Sequence, residues 1–373
     1  MIHSHAHSHR LWADISLPHL QQNVRTIHQH TGSRHQIFPV LKANAYGHGA
    51  VACCEALDSF VDGFAVATLQ EALELPTQRP ILILGPLTPA EIPDAVAVPH
   101  LHFFISSLQE AHWFLDAFKK LPDPPAPRLH LKIDTGMGRI GILPDEVTSL
   151  LTISTLRPHI VGLATHLASA DSDPEQTLQQ LNDFHQILKN CRPHLPNLHY
   201  THALNSAGSL QFSQNDPSNT LRPGLAIYGV SPLPDANTSV TLKPVLSWST
   251  RVTLVRDLPA HHPISYGSTF RTPTPMRTAT LAVGYADGLP RILSHTRFAP
   301  IIHNQPCPLL GRITMDQIVV DVTHLPNIQS GDTATLLGPP HTSANTLASL
   351  AQTIPYEILT GIQRRTIRVY HNS

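Results

Sequence analysis

Charged side chains are scarce in this sequence, and neither sign is in excess. Only 14% of the 373 residues are Asp, Glu, Lys or Arg, and 25 basic against 26 acidic residues leave a formal net charge of −1. A chain with this balance lacks the cationic surface that nucleic acids and anionic membranes select. Long apolar runs are also missing, since none approaches the roughly 18 residues that a membrane span requires. We therefore expect no nucleic-acid partner and no membrane partner.

Cysteine is equally rare, with four residues in the whole chain. None belongs to a C-x-x-C pair, which predicts free thiols in a reducing compartment rather than a disulfide framework. Residues 1–10 contain alternating histidines where a signal peptide would have an apolar segment. We predict a His-rich disordered tail there, with incidental metal affinity only, and assign no metal site. The expected location is the cytoplasm.

What the sequence has in abundance is a regular alternation of short apolar runs and helical patterns. Eight such runs between residues 37 and 228 predict a closed parallel (β/α)8 barrel of the TIM type rather than an open sheet. The predicted strands are 37–43, 63–67, 81–84, 102–105, 129–133, 160–165, 198–203 and 221–228.

The pattern changes near residue 232, where a turn-rich segment begins. Beyond it the chain is rich in Val, Ile, Thr and Leu at strand-like spacing, with one clear helix at 345–353. The predicted fold class is α/β plus β. We assign residues 11–235 to the barrel and residues 236–373 to a β-rich C-terminal domain, to which the strand at 11–16 can be added.

The stretch 37–49 delivers one lysine, Lys42, to the end of an apolar strand, followed by small residues, Tyr46 and two glycines. Burial disfavours the charged amine and lowers its pKa. A neutral amine can form a Schiff base with a carbonyl compound or with pyridoxal phosphate. The same stretch also fits a lysine whose ammonium group simply extends to water. Taken alone, the stretch favours the second interpretation, and only the rest of the chain changes that.

Other polar groups also follow the predicted strands, where barrels place their chemistry. A glycine-rich loop after Lys132 leads to Arg139, whose guanidinium suits an anionic oxygen. Asn205 and Ser206 form a helix start with N–H groups and a hydroxyl that suit a phosphate. Arg222 begins a turn near the end of the barrel, where such folds often bind phosphate. In the β domain, tyrosine and aspartate stand beside glycine at several strand ends.

Six motifs in this order make the chain resemble the alanine racemase family over nearly its full length, from residue 12 to 370. These are residues 40–49, 134–139, 222–224, 265–267, 284–288 and 315–317. The resemblance implies a pyridoxal 5'-phosphate enzyme that racemises alanine by a two-base mechanism through an external aldimine. It further implies a homodimer with shared active sites. Such an enzyme either supplies D-alanine for peptidoglycan or degrades it.

The resemblance also implies roles for single residues. Lys42 matches the lysine that holds the cofactor and then serves as a base on one face of the substrate. Tyr266, from the partner subunit, matches the base on the other face, and His166 with Arg222 matches a chain that supports its phenolate. Arg222 also matches the residue at the pyridine nitrogen. Because a guanidinium is effectively never deprotonated, that nitrogen stays unprotonated, which weakens the electron sink and suppresses transamination.

The remaining matches concern binding. Arg139 matches a residue near the cofactor's phenolic oxygen and the substrate carboxylate, which Met315 also contacts. Lys132 matches a lysine that is carbamylated in many members and then orients Arg139. Tyr285 and Asp316 match residues at the substrate entrance. The positions assigned to the cofactor, chiefly its phosphate group, are Tyr46, Asn205, Ser206, Gly224, Leu225 and Tyr356.

Three alternatives remain open at this point. The first keeps the chemistry but changes the substrate to serine or another small amino acid. The second is a pyridoxal-phosphate decarboxylase, although its glycine-rich phosphate loop and β-domain cysteine are not found here. The third is a non-catalytic pyridoxal-phosphate carrier, against which the long β domain argues. Thr314 and Pro223 depart from residues common in the family without touching a chemical role.

Overall fold

The computed structural model describes residues 9–123, 126, 128–214, 216–233 and 240–372. Most of the predicted tail at 1–10 therefore lies outside the described residues. Two compact units are present. The barrel unit comprises residues 20–45 and 50–243, and the β unit comprises residues 1–19, 46–49 and 244–373.

The barrel unit contains eight parallel strands. They are β2 (Gln36–Ile37), β3 (Phe64–Val66), β4 (Ile81–Ile83), β5 (Leu101–Ile105), β6 (Leu129–Lys132), β7 (Ile160–Ala164), β8 (Tyr200–His202) and β9 (Thr220–Leu221). Strands β3 to β8 form one continuous sheet, and β2 pairs with β9. The ring is completed by backbone bonds from Leu41 N to Ala65 O (2.8 Å) and from Asn219 N to Thr201 O (3.0 Å). The predicted (β/α)8 barrel is confirmed.

The strand-to-helix turns of the barrel unit use side-chain caps. Thr68, Ser107, Asp173 and Asn205 each stand before a helix and accept a hydrogen bond from a backbone N–H three residues later. Such caps satisfy donors that have no partner inside the helix. The helices, including the first, which begins in the β unit, are Leu17–His30, Ala50–Leu57, Leu69–Glu74, Ile92–Val96, Leu108–Phe118, Val147–Leu151, Pro174–Cys191 and Ser206–Gln211.

The first and the last predicted barrel strands were too long. β2 ends at Ile37, and from Ala43 to Tyr46 the chain forms a left-handed turn with φ between 52° and 54°. β9 ends at Leu221, and Leu225–Tyr228 is a short 3-10 helix. Residues 225–228 are buried and apolar, and burial alone does not distinguish a strand from another buried conformation. The pairing of the first strand continues to Val40, which bridges to Ala65, before the left-handed turn begins at the exposed Ala43.

The β unit is built on one large sheet. Its strands are β1 (Leu11–Ser16), β10 (Leu246–Leu258), β13 (Met276–Leu281), β14 (Ile301–Ile302), β15 (Gln305–Pro306), β16 (Leu309–Leu310), β17 (Ile318–Asp321), β18 (Thr333–Leu337) and β19 (Ile367–His371). β11 (Pro263–Ile264) and β12 (Phe270–Arg271) form a separate hairpin. The N-terminal β1 runs antiparallel to β10 and parallel to β19. Two helices follow β18, Ala344–Leu350 and Pro355–Gly361, of which the second was not predicted.

All four cysteines are buried free thiols, as predicted from their spacing. Burial raises the pKa of Cys54 to about 12 and that of Cys191 and Cys307 to about 11. These thiols therefore stay protonated and unreactive. Across the described ranges, no helix combines the length and the apolarity that crossing a bilayer demands.

Gly162, in the middle of β7, makes room for a side chain of the neighbouring strand. A Cβ atom at this position would collide with the imidazole ring of His130, which is fully buried. We expect Gly162→Ala to lower the free energy of unfolding by about 1–3 kcal/mol, the usual cost of overpacking a core. Urea titration followed by circular dichroism would measure it.

The double variant Gly162→Ala/His130→Ala is the control, because it removes the ring that the new methyl group meets. We expect the cost of the Gly162 substitution to fall sharply in the His130→Ala background. Strictly additive costs in the double variant would show that the collision with His130 is not the cause.

Candidate active site

Basic side chains lie at the C-terminal ends of the barrel strands. Lys132 is the last residue of β6, His166 follows β7, and Arg222 follows β9. Burial first, and then the positive charges of Arg222, Lys132, Arg139 and Lys42, hold the pKa of His166 well below its usual value. The structure thus brings five sequence-predicted site residues into one electrostatic cluster. A cluster of this kind suits an anionic ligand.

Lys42 has the environment of a nucleophilic amine. Its side chain is half-buried, and desolvation, followed by the charge of Arg139, lowers its pKa. The carboxylate of Glu71 acts in the opposite direction. A lowered amine pKa increases the neutral fraction at a given pH, and the neutral amine is the form that attacks a carbonyl carbon.

The backbone after Lys42 is strained. Ala43, Asn44 and Ala45 all have φ near 53° and ψ near 49°, and Tyr46 also has positive φ. The left-handed conformation costs an L-residue roughly 1–2 kcal/mol. Consecutive non-glycine residues hold it only where the surrounding structure fixes them, as at functional sites.

Glu71 fixes this turn. Its carboxylate accepts hydrogen bonds from the backbone N–H groups of Ala43 and Ala67, both at 2.7 Å. It therefore joins the turn after Lys42 to the end of β3 through one charged acceptor. The amide oxygen of Asn44 adds a bond from Ala50 N at 2.8 Å, which anchors the start of the next helix. Sequence reasoning missed Glu71, which occupies the third position of the helix capped by Thr68.

Lys132 is buried, and its ammonium has one hydrogen bond, to Ile133 O at 3.2 Å. Burial, and next the charge of Arg222, lower its pKa to about 7. The following loop is organised by Asp134, whose Oδ1 accepts N–H bonds from Gly136, Met137 and Gly138 at 2.8–3.1 Å. This carboxylate shapes the backbone that leads to Arg139.

Arg222 is buried and held by backbone oxygens instead of a carboxylate. Nη2 donates to Thr165 O at 2.7 Å, and Nη1 donates to His202 O at 2.9 Å and to His202 Nδ1. Burial lowers its pKa to about 10. Three of the five guanidinium hydrogens are used in this way. In the part of the chain that the structure describes, the other two have no acceptor and remain available to a ligand.

The predicted phosphate residues of the barrel unit also lie together. The buried hydroxyl of Ser206 accepts from Gly224 N at 2.9 Å and from Ala226 N at 3.2 Å. Leu225 lies between these two N–H groups. Asn205 caps the helix by accepting from Gly208 N at 2.9 Å. Hydrogen bonds therefore join the Arg222 turn to the start of the Ser206 helix.

In the β unit, Tyr46 and Tyr356 are neighbours, with ring centroids 5.9 Å apart. Burial raises the pKa of Tyr46, so its phenol stays protonated and able to donate. Gly47 has no room for a side chain, because a Cβ atom would overlap Leu359 O, and its own carbonyl accepts from Arg368 Nε at 3.0 Å. The glycine keeps the chain after Lys42 close to the C-terminal helix.

Tyr266 projects from a strained loop. Ser265, Gly267 and Ser268 have φ of 61°, 73° and 47°, and the Ser265 hydroxyl donates to Arg312 O at 2.6 Å. The ring of Tyr266 is 72% exposed. A large aromatic side chain on a fixed, strained backbone and facing solvent is unusual for an ordinary turn.

The other β-unit motifs meet beside this loop. Tyr285 N and Ala286 N donate to Thr314 O and Met315 O, both at 3.0 Å, and Gly284 is needed because a Cβ atom would overlap Met315 O. Asp316 accepts from Arg365 at 2.8 Å. The residues predicted for the substrate entrance and the carboxylate contact are therefore neighbours, and Tyr285 and Met315 are exposed.

An ion-pair network behind these motifs was not predicted. Asp287 is buried, accepts from Gly284 N at 2.9 Å, and pairs with Arg365 at 3.0 Å. Burial raises the pKa of Asp287, while its N–H partner and Arg365 oppose that shift. Arg365 thus links a buried carboxylate to the exposed Asp316. The motif spacing could have suggested Asp287, whereas nothing in the sequence indicated Arg365.

Comparison with known proteins shows which family the chain resembles. The family model for the alanine racemase N-terminal domain matches residues 15–232, and that for the C-terminal domain matches residues 245–370. The chain is 36% identical to alanine racemase of Halothermothrix orenii, with 97% of each chain covered, and 37% identical to that of Symbiobacterium thermophilum, with 96% of each covered.

Solved structures agree. Alanine racemase from D-cycloserine-producing Streptomyces lavendulae superimposes with a TM-score of 0.90 at 31% identity, covering 98% of this chain and 97% of the other. Alanine racemase from Bacillus anthracis with bound L-Ala-P gives 0.87 at 33% identity, covering 98% and 95%. The fold, the order of the motifs and these likenesses over the full length lead to one conclusion: the chain belongs to the alanine racemase family.

Proposed function

We propose that this chain interconverts L-alanine and D-alanine with pyridoxal 5'-phosphate as its cofactor and Lys42 and Tyr266 as its two bases. The observation that carries the proposal is that Lys42, Arg139 and Arg222 lie close enough to His166 for their charges to lower its pKa. Family membership favours racemisation over the decarboxylase and carrier alternatives. A screen of the purified protein with each L-amino acid, reading out the D-product, tests the reaction and separates alanine from serine.

The donors present fit the cofactor. Lys42 supplies the amine that its aldehyde requires, and the partly unsatisfied Arg222 suits the pyridine nitrogen. The Ser206 hydroxyl and the backbone N–H group of Leu225 suit its phosphate, and Gly224 N–H, which here donates to Ser206 Oγ, would join them when the phosphate is bound. The family resemblance adds the phenols of Tyr46 and Tyr356. When bound, the cofactor withdraws electrons from the substrate Cα and so makes the α-proton removable.

Each base acts at one face of that carbon. The amine of Lys42, with its lowered pKa, takes or returns the α-proton on one side. Tyr266 does the same on the other side. A phenol is a poor base near neutral pH, so Tyr266 needs the positive charges of Arg222 and its neighbours. Arg139 and the backbone of Met315 hold the substrate carboxylate.

Arg222 limits the side reaction. The Arg222 guanidinium would donate to the ring nitrogen of a bound cofactor without releasing its proton near neutral pH. The cofactor would then supply a weaker electron sink, which would favour return of the α-proton by Lys42 or Tyr266 over transamination.

A second copy of the chain completes the site in this proposal. Tyr266, Met315 and Tyr285 are 72%, 51% and 42% exposed, and all three belong to the adjoining β-unit motifs. Three large exposed side chains on rigid backbone are typical of an interface with a partner of fixed geometry. We infer a cytoplasmic homodimer with shared sites, which supplies D-alanine for peptidoglycan or degrades it.

The Tyr266→Phe variant tests the two-base assignment. We expect racemisation to fall by roughly 100-fold or more, the usual contribution of a positioned general base. In deuterated water, one alanine enantiomer should still exchange its α-proton through Lys42. NMR of the exchanged α-position after chiral separation measures both rates. Racemisation at wild-type rate in Tyr266→Phe would refute the assignment.

The Arg222→Glu variant tests the electron-sink argument. A carboxylic acid at the pyridine nitrogen can share a proton with it, so we expect pyridoxamine phosphate to accumulate faster per turnover than in the wild type. Chromatography of the released cofactor after prolonged turnover measures the product. Arg222→Lys retains a cation and should form less of it than the Glu variant. Equal amounts in all three proteins would contradict the proposed role.

Carbamylation of Lys132 has a predicted pH dependence. Carbon dioxide reacts only with the neutral amine, releasing a proton, and the pKa of Lys132 is about 7. The neutral fraction, and with it the carbamate, should therefore rise from about pH 6 to about pH 8. Carbon-13 NMR with labelled bicarbonate measures the carbamate, and Lys132→Arg provides the blank. A signal that persists in that variant would assign the carbamate elsewhere.

A further inference from the structure

Three buried histidines link Arg222 to the opposite end of the barrel. His202 lies on β8, His130 on β6 and His102 on β5, and all three rings are buried. His202 Nε2 is 2.9 Å from His130 Nδ1, and His130 Nε2 is 2.9 Å from His102 Nδ1. The first ring of the series also contacts Arg222, through His202 Nδ1.

The chemistry of Arg222 fixes the direction of every bond in this series. A guanidinium has five N–H donors and no acceptor, so His202 Nδ1 must accept. A neutral imidazole then carries its hydrogen on Nε2, which donates to His130 Nδ1. By the same rule, His130 donates from Nε2 to His102 Nδ1. One orientation of donors satisfies all three contacts, with each ring neutral and protonated on Nε2.

The barrel core is built around these rings. His130 reaches β8 by crossing β7 at Gly162, the position where a side chain would collide with it. Tyr200 stacks on His130 with centroids 5.3 Å apart, and Phe104 stacks on His202 at 5.9 Å. An apolar core filled by aliphatic residues would be simpler, since a buried polar group needs a partner for every donor.

We propose that His202, His130 and His102 form a one-way hydrogen-bond relay that positions Arg222 and serves as its buried acceptor in place of a carboxylate. The proposal rests on the role given to Arg222 above. His130 and His102 are positioning residues, because neither lies at the strand ends where the reaction takes place.

Proton conduction is the alternative role for such a series, and the charges oppose it. A proton leaving the site would have to come from Arg222, which does not release one. A proton entering at His102 would place a second cation near Arg128, and at His130 or His202 near Arg222. Burial and these charges hold the pKa of His102 at about 3 and those of His130 and His202 well below the usual value. All three rings therefore stay neutral.

Nitrogen-15 NMR of histidine-labelled, cofactor-loaded protein tests the relay directly. Signals are assigned with the single variants His102→Gln, His130→Gln and His202→Gln. We expect protonated Nε2 and unprotonated Nδ1 in His202, His130 and His102. A protonated Nδ1 in His202 or His130, or a positively charged ring near neutral pH, would overturn the relay.

Variants of His102, the last ring of the relay, test the positioning role. His102→Leu removes the last acceptor, and we expect kcat for alanine racemisation to fall about 10-fold with KM little changed, at the lower end of the losses known for outer-shell partners. Pyridoxamine phosphate formed per turnover should rise. His102→Gln keeps an acceptor oxygen and should recover much of the loss. Phe104→Leu, which removes a ring that packs on the relay without breaking its bonds, is the matched control.

If His102→Leu matches Phe104→Leu in kcat and in the side reaction, His102 only fills space and the positioning role is refuted. A lower kcat in His102→Leu that is recovered in His102→Gln supports the positioning role, even if the leucine variant is less stable. The spectra need no substrate. The two failures are therefore distinguishable. Unchanged formation of pyridoxamine phosphate in Arg222→Glu would refute the role of Arg222, whereas the wrong histidine tautomers would refute the relay.

Discussion

The burial of positive charge at one end of the barrel is the constraint on which the site depends. Removing an ammonium or guanidinium from water is costly unless partners replace the lost hydration. Lys42 and Lys132 respond through lowered pKa values, which make their amines available for chemistry. Arg222 cannot respond in that way near neutral pH, so it needs acceptors, and Thr165 O, His202 O and His202 Nδ1 provide them. An anionic ligand at this position would relieve the remaining repulsion.

Hydrogen bonds also fix the backbone around Lys42. A left-handed turn of non-glycine residues is intrinsically unfavourable, and Glu71 and Asn44 supply the bonds that make it the native conformation. Strain of this kind directs a side chain that ordinary strand geometry would direct elsewhere. The loop of Tyr266 follows the same principle, with positive φ at Ser265, Gly267 and Ser268. The two residues proposed as bases therefore both project from strained, hydrogen-bonded backbone.

Much of this site could be read from the sequence because its motifs are local. Each motif can be recognised within ten residues. Examples are a lysine at a strand end, a glycine-rich loop before Arg139 and an arginine before a turn. The strand alternation likewise predicted all eight barrel strands. The errors lie where the local sequence pattern does not distinguish one backbone conformation from another. The buried apolar residues 225–228 read as strand although they form a 3-10 helix, and the first predicted strand extended into the left-handed turn at Ala43. The Pro355–Gly361 helix is too short to show a period.

The sequence by itself determined the barrel and the β-rich second unit, because side-chain periodicity is a property of neighbouring residues. Its motifs, through the family they resemble, pointed to the lysine, arginine and tyrosine of the proposed chemistry. Only the tertiary structure decided which distant residues support them. Glu71 joins the turn after Lys42 to the end of β3, Arg365 joins Asp287 to Asp316, and three histidines from three strands form a series across Gly162. These contacts depend on strand register and barrel closure, which bring together residues that no spacing along the chain relates.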